Sequence, residues 1–579
     1  MARSATALHR LLDVLPVFAG DSRIDRLFTL MPGSDFGIDA LAAVDQAGAH
    51  TLPWDEALGR AFDLIVAASP KGELRLLHGA RVLLPHGAGF GKTVRDEGSA
   101  DSASGLDPAY LLAGDRALVT LHALAHPDQV AQLAARSPRA AARAKVVGDP
   151  TLERVLASRS HRDRYRAALG TGTRTLIVLA STWGRESLLH RRPTLPAVLA
   201  AGLPYDAYQL ALIVHPNEHS KQGHLNLTER FAPALATGAV LARPYEEWAA
   251  LLVAADAIVT DHGSTALYGA ALDRPVIAAY DGGDELIPDS PIAHLLARSP
   301  RLAPLPEPDG STDEVARAVA AARAGHRPGT ARAVAAAAFA EQGRSLERLR
   351  EELYEVLRLA PRAAPATARV LPEPRPPARP PAAFAVRAHI EGQQVRIERY
   401  PADGNQHGHF LAAEHDLASE PQNQSAALLY RRHTPAAPAS TINPASPASP
   451  AGASAPTSTN APAGGVRPAA VAHGVAWTAA GWTEHALADY PWARTAAVVL
   501  SASRCVVRTD TGHLLAVRLS PRRTGGRVAV ADPAAALCAV HAWLAAGHPT
   551  PATLACVIGG HTFIAQLQPA TPDEAAQTF

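Results

Sequence analysis

The chain has 579 residues, 47 % of them hydrophobic, and its 55 Lys+Arg against 54 Asp+Glu give a formal net charge of +1. That length fits about three or four domains with sizeable cores. The balanced charge speaks against a general nucleic-acid binder, which carries a basic excess.

The first twenty residues, MARSATALHRLLDVLPVFAG, hold one short apolar stretch broken by Asp13 and lack the h-region of a signal peptide. No run nears the ~20 apolar residues that span a bilayer, so a cytoplasmic protein is expected, with any contact at the inner face of the membrane peripheral. Arg dominates the basic residues and Ala and Pro abound, a composition typical of a GC-rich genome such as an actinobacterial one. Short apolar strands are predicted at 26–31, 62–68, 81–85, 117–121 and 145–148, with helical stretches such as HPDQVAQLAARS between them. The pattern then restarts, with strands at 175–181, 208–216, 238–242, 257–261 and 275–280, and helices at EEWAALLVAA and GSTALYGAAL. Strands this apolar, alternating with helices, imply parallel sheets covered on both faces. A long helical pattern ends near residue 359. The fold class is therefore α/β: two Rossmann-like domains, 1–170 and 171–359, facing a cleft.

Residues 360–382 form a proline-rich, extended spacer, and 383–433 contain a β-hairpin turning at Glu391–Gly392. A second linker, 434–468, is rich in Ala, Pro, Ser and Thr and is expected to be disordered. From 469 to 579, five strand patterns and the helix PAAALCAVHAWLAA indicate a small α+β module, the hairpin before the linker being a candidate part of it. Its Cys505, Cys538 and Cys556 match no zinc spacing and are odd in number, so buried reduced thiols are expected. Trp477, Trp482 and Trp492 read as core, with a carbohydrate or peptide surface as the alternative, and His561 reads as structural.

Polar residues gather where the apolar strands end. In AADAIVTDHGSTALYGAALDRPVI, Asp261 emerges at the carboxyl end of a buried strand, where open α/β sheets bind ligands. Gly263 permits close backbone approach, and Ser264 and Thr265 open the next helix, a setting that suits an anion; an ordinary N-cap is the bland alternative. His215 and Asn217 follow the strand LIVHPN, Thr182, Trp183 and Arg185 follow TLIVLAS, and His86–Gly87 follow RVLLP. Four such clusters, split between two halves, fit one ligand cleft.

In order and spacing these segments resemble the CDP-glycerol glycerophosphotransferase family, the teichoic-acid primases and polymerases of GT-B-like fold. The matching pieces are His86–Gly87, Ser181–Thr182–Trp183, His215–Pro216–Asn217, the block Asp256-Ala-Ile-Val-Thr-Asp261-His-Gly-Ser264-Thr265, and Arg274-Pro275-Val276-Ile277. They cover about residues 80–300; the chain departs from the pattern at Ser181, at His262, at the extra Gly263, and in lacking an acidic residue soon after Thr265. The resemblance implies transfer of glycerol phosphate, or a similar polyol phosphate, from a CDP-activated donor to a polyol-phosphate or glycan acceptor of the cell wall. His86 is then the candidate base and His215 the residue at the donor phosphates or leaving group. Thr182, Arg185, Asn217, Asp261, Gly263, Ser264 and Thr265 would bind the donor, Asp261 by orienting the turn. No carboxylate cluster is spaced for a metal, and neither a metal nor a cofactor is required.

GAGFGKT (87–93) lacks the first glycine of a phosphate loop, whose place falls at His86, and reads instead as a mobile loop at the cleft. Two other readings compete with the glycerophosphotransferase. One is a different GT-B enzyme, a nucleotide-sugar glycosyltransferase or 2-epimerase. The other is a catalytically silent scaffold whose C-terminal module does the binding.

Overall fold

The computed structural model describes residues 1–31, 44–45, 47–71, 73–85, 87–93, 105–303, 313–378 (the first three by backbone alone), 380–402, 408–433 and 476–579. It divides into two compact units. The first comprises Met1–Arg387, Glu398–His409 and Ile558–His561; the second comprises Ala388–Ile397, Phe410–Val557 and Thr562–Phe579.

The first unit holds two parallel sheets. Strands β1 (Ala61–Ala67), β2 (His78–Leu83), β3 (Leu121–Leu124) and β4 (Ala144–Val146) form one, in that order. The other contains β5 (Thr175–Ser181), β6 (Tyr208–Val214), β7 (Val240–Leu241), β8 (Ala257–Thr260) and β9 (Val276–Ala278), ordered β9-β8-β5-β6-β7. Every residue of β8 and β9 is buried, and so is all of β5 and β6 beyond the first. This is why these strands read as unbroken apolar runs. Helices α1 (Ala5–Val14), α2 (Pro150–Ala157), α3 (Pro216–Arg230), α4 (Glu247–Ala254) and α5 (Thr265–Ala271) frame the sheets. The proline-rich 360–378 stretch is strapped to this unit: Tyr165 donates to the Leu371 carbonyl at 2.7 Å, and Leu371 N–H to Ser158 at 3.0 Å.

Three expected elements differ. Residues 26–31 make only isolated bridges, Ala2 with Leu30 and Phe28 with Thr51. The strand expected at 117–121 begins at Leu121, because pairing with Val82 and Leu83 of β2 selects one register from a long apolar run. The closing helix is broken: Thr330–Ala335 and Ser345–Leu357 are separated where Glu341 and Gly343 take φ of 49° and 79°.

A closed sheet of nine strands lies mostly in the second unit. In spatial order these are Ala383–Glu391, Gln394–Pro401, Thr553–Ile558, His561–Pro569, Leu514–Ser520, Arg504–Thr509, Thr495–Ser501, Leu428–Arg432 and Phe410–Glu414. The hairpin before the second linker thus joins the later strands. Phe410–Glu414, Leu428–Arg432 and His561–Pro569 are strands beyond those expected, whereas RVAVA belongs to a separate two-stranded ribbon. Helix Pro533–Ala545 is apolar on every face and buried along most of its length, as such a helix must be. All three cysteines are free and buried, and burial pushes the Cys505 and Cys556 thiols up to about 12. Trp482 is core, while Trp492 is 74 % exposed. No helix among the described residues is long and apolar enough to cross a membrane.

Candidate functional site

The polar clusters all stand beyond carboxyl ends of parallel strands, so alignment of the strands brings them together. Asp261 follows β8 and is fully buried. Its carboxylate accepts from Thr182 N–H at 3.0 Å, Leu188 N–H at 2.8 Å, Gly263 N–H at 2.9 Å and the Ser181 hydroxyl at 3.2 Å. It therefore pins the segment after β5 to the turn after β8, and it lies beneath the cleft lining rather than in it. Gly263 sits in close packing: a Cβ there would stand 3.1 Å from Asp261 Oδ1 and 3.2 Å from the Thr182 Cβ. Ser264 makes no side-chain capping bond to α5, so the bland N-cap reading is not realised by its hydroxyl.

His215 caps α3. Its Nδ1 accepts from Asn217 N–H at 3.1 Å, which places the proton of the neutral ring on Nε2. The Trp183 and His215 ring centroids are 6.1 Å apart.

Thr182, His215, Asn217, Gly263, Ser264 and Thr265 line one cavity of about 220 Å³. Gly87, Ala88, Gly91 and Lys92 from beyond β2 line its other side, with Arg3 and Lys71. The two halves meet closely: a Cβ on Gly87 would lie 3.3 Å from Ser264 Oγ. His86 lies outside the described residues. Arg185 is exposed and does not line the cavity.

The charge of this cavity is one-sided. Arg3, Lys71 and Lys92 line it together with His215 and His262, and no carboxylate does among the described residues. Burial, with the Arg3 guanidinium alongside, lowers the Lys71 ammonium to about 8. Arg3 Nε and Thr6 Oγ1 are buried and without a hydrogen-bond partner among the described residues. Such a pocket favours an anion. Of these residues Lys71 was legible by the strand-end rule, since it follows β1; Arg3 carries no sequence signal.

A second cavity of about 120 Å³ shares Gly87, His215, Ser264 and Thr265 with the first and extends to the segment Arg243–Glu246 beyond β7. There Tyr245 takes φ of 108° and stacks on His9 at 4.2 Å, a strained backbone of the kind found at ligand sites. Beneath it, Arg10 of α1 forms a paired bond to Asp149 at 2.8 and 2.9 Å and donates to Tyr268 of α5 at 2.6 Å, tying the two halves through a buried triad.

The glycine-rich segment is docked rather than mobile. Thr93 N–H donates to the Glu285 carbonyl at 2.9 Å and Ile287 N–H to that of Gly91 at 2.9 Å. A Cβ on Gly91 would stand 2.4 Å from Ile292 Cγ2.

Fold and site together define a protein with two parallel-sheet halves around an anion-favouring cleft. No family model and no curated protein sequence matches the chain. Among solved structures it is similar to the wall teichoic acid polymerase TagF, at 13 % identity and a TM-score of 0.43, over 62 % of this chain and 87 % of that one. It is also similar to S. aureus MnaA with UDP, at 10 % identity and a TM-score of 0.37, over 64 % of this chain and 98 % of that one. Anabaena HepE in complex with UDP is similar at 15 % identity and a TM-score of 0.36, over 62 % of this chain and 98 % of that one.

Proposed function

We propose that the chain is a transferase that binds a nucleotide-activated donor in this cleft, with CDP-glycerol as donor and a polyol-phosphate or glycan polymer as acceptor. The observation that carries the reading is the cavity in which Arg3, Lys71 and Lys92 meet His215, Ser264 and Thr265 with no lining carboxylate among the described residues. A diphosphate is the group such a lining suits, and the motif order described above supplies the choice of CDP-glycerol.

In the reaction an acceptor hydroxyl oxygen bonds to the phosphorus of the glycerol phosphate, the phosphoanhydride bond breaks, and CMP departs. The hydroxyl proton passes to a base, for which His86 is the proposed residue. His215, with Nδ1 held by Asn217, offers an Nε2–H donor to a phosphate oxygen or to the departing CMP. Lysine and arginine charge offsets the negative charge that builds on the phosphates, the dominant demand of phosphoryl transfer. Asp261 shapes the site through the chain and is not assigned a contact with the donor.

The test is incubation of the purified chain with CDP-glycerol and an acceptor polymer, following CMP release. His215→Ala and His86→Ala should each lower turnover about 100-fold or more. Turnover of a UDP-sugar in place of CDP-glycerol would move the reading to a nucleotide-sugar enzyme. Binding of neither donor would leave a silent scaffold.

A further inference from the structure

We propose that Lys92, carried into the cleft by the glycine-rich segment of the amino-terminal half, binds the donor diphosphate, and that Glu285 backed by His262 presents it. The inference rests on the donor reading above and assigns the residue by which the amino-terminal half would grip the donor.

Lys92 lines the cavity, and its side chain is 18 % exposed. Its ammonium has three N–H groups. One pairs with Glu285 Oε2 at 2.9 Å and another reaches the Trp183 carbonyl at 3.0 Å. Both contacts are made from a residue that lines the cavity, so the ammonium is held at the cavity wall. Glu285 Oε2 is shared with His262 Nε2 at 3.3 Å, and the His262 side chain is wholly buried. Burial alone would raise the Glu285 carboxyl, but His262 and Lys92 outweigh it and hold it below its ordinary range, so it stays an anion that orients the lysine. Trp183 adds to this: the Lys92 ammonium sits 5.1 Å and the Lys221 ammonium 4.9 Å from its ring centroid.

The backbone holds Lys92 in place independently of its side chain. The Gly91–Ile287 and Thr93–Glu285 backbone bonds fix the segment, and Gly91 packs too closely on Ile292 to admit any side chain. The backbone thus sets the position of Lys92, and its paired ammonium stands in the cavity lining.

The experiment measures dissociation constants of the full chain for CDP-glycerol and for cytidine. The variants are Lys92→Met, Lys92→Arg and the double variant Lys92→Met/Glu285→Gln, which leaves no unpaired buried charge and whose folding is checked by thermal melting. The double variant is expected to lose about 10- to 100-fold in CDP-glycerol affinity, the worth of one charge-assisted bond, with cytidine binding unchanged. Lys92→Arg should recover most of the loss. CDP-glycerol affinity within twofold of wild type in the double variant, or an equal loss for cytidine, would overturn the assignment while leaving the donor reading standing. Wild-type protein that binds no CDP-glycerol would instead bring down the donor reading itself.

Discussion

Asp261→Asn tests whether the turn after β8 is held by a single buried carboxylate. The Asn carbonyl oxygen can keep the bonds from Gly263 and Thr182, which reach Oδ1 at 2.9 and 3.1 Å. The amide nitrogen then replaces Oδ2 and faces Leu188 N–H, which lay at 2.8 Å, donor against donor. The Ser181 hydroxyl, 3.2 Å from Oδ2, can turn to accept, so that contact is partly recovered. The loss is one strong bond to a charged acceptor, about 1.5–3 kcal/mol, plus about 1–3 kcal/mol for the buried N–H left unpaired. The sum, about 2.5–6 kcal/mol, is a large part of the ~5–15 kcal/mol that holds a typical domain together. In equilibrium urea unfolding, with a slope of about 2 kcal/mol per M, the midpoint of the first unit's transition should fall by about 2 M. A fall below about 0.5 M would show that the carboxylate is not what pins Thr182, Leu188 and Gly263 together.

Arg10→Met should destabilise the chain by about 3–5 kcal/mol, because it strands the buried Asp149 carboxylate; Tyr268→Phe should cost only about 1 kcal/mol, and both are read by urea unfolding. Gly282→Ala should lower stability by about 2–4 kcal/mol, since Gly282 has φ of 92° and an added Cβ would lie 2.4 Å from the His262 Cγ; an unchanged melting temperature would contradict that packing. Burial lowers His122 and His9 to about 4 from an ordinary 6.5. Between those values the unfolded chain binds protons that the folded chain refuses, so stability is complete above pH ~6.5 and falls toward pH ~4, by up to about 3 kcal/mol per histidine. His122→Asn should flatten that slope in urea midpoints measured across pH, and an undiminished slope would mean other groups carry it.

The strands of the second sheet were the most legible part of the sequence. They are buried on both faces, so the apolar run and the strand coincide, as in TLIVLAS and Thr175–Ser181. Where a run outlasts the strand, as around Leu121, composition fixes no register and the neighbour β2 decides it. The break at Glu341 and Gly343 was hidden by helical patterns on both sides, alanine-rich before it and Leu/Glu/Arg-rich after it, although the glycine was there to be read. The nine-stranded sheet was illegible as a closed figure because its strands come from both sides of the long second linker.

Within the site the same distinction holds. Residues at strand ends were found because their position follows from topology: Thr182, His215, Asn217, Gly263, Ser264 and Thr265 line one cavity. What each does there was less legible. Asp261 stands in the same motif, yet four donors from the chain surround it and take it out of the lining. The opposite happens to Lys92, which sits in a failed phosphate-loop pattern and reaches the cavity only because Gly89 and Gly91 let the segment press against Leu267 and Ile292. A motif therefore places a backbone at the cleft, while packing between the halves decides which side chain lines the cavity. Arg3, Lys71 and Lys92 come from three unrelated segments, and their summed charge leaves no trace in a chain whose net charge is +1. The cleft's preference for anions is thus a property of the fold, concentrated from a nearly neutral sequence.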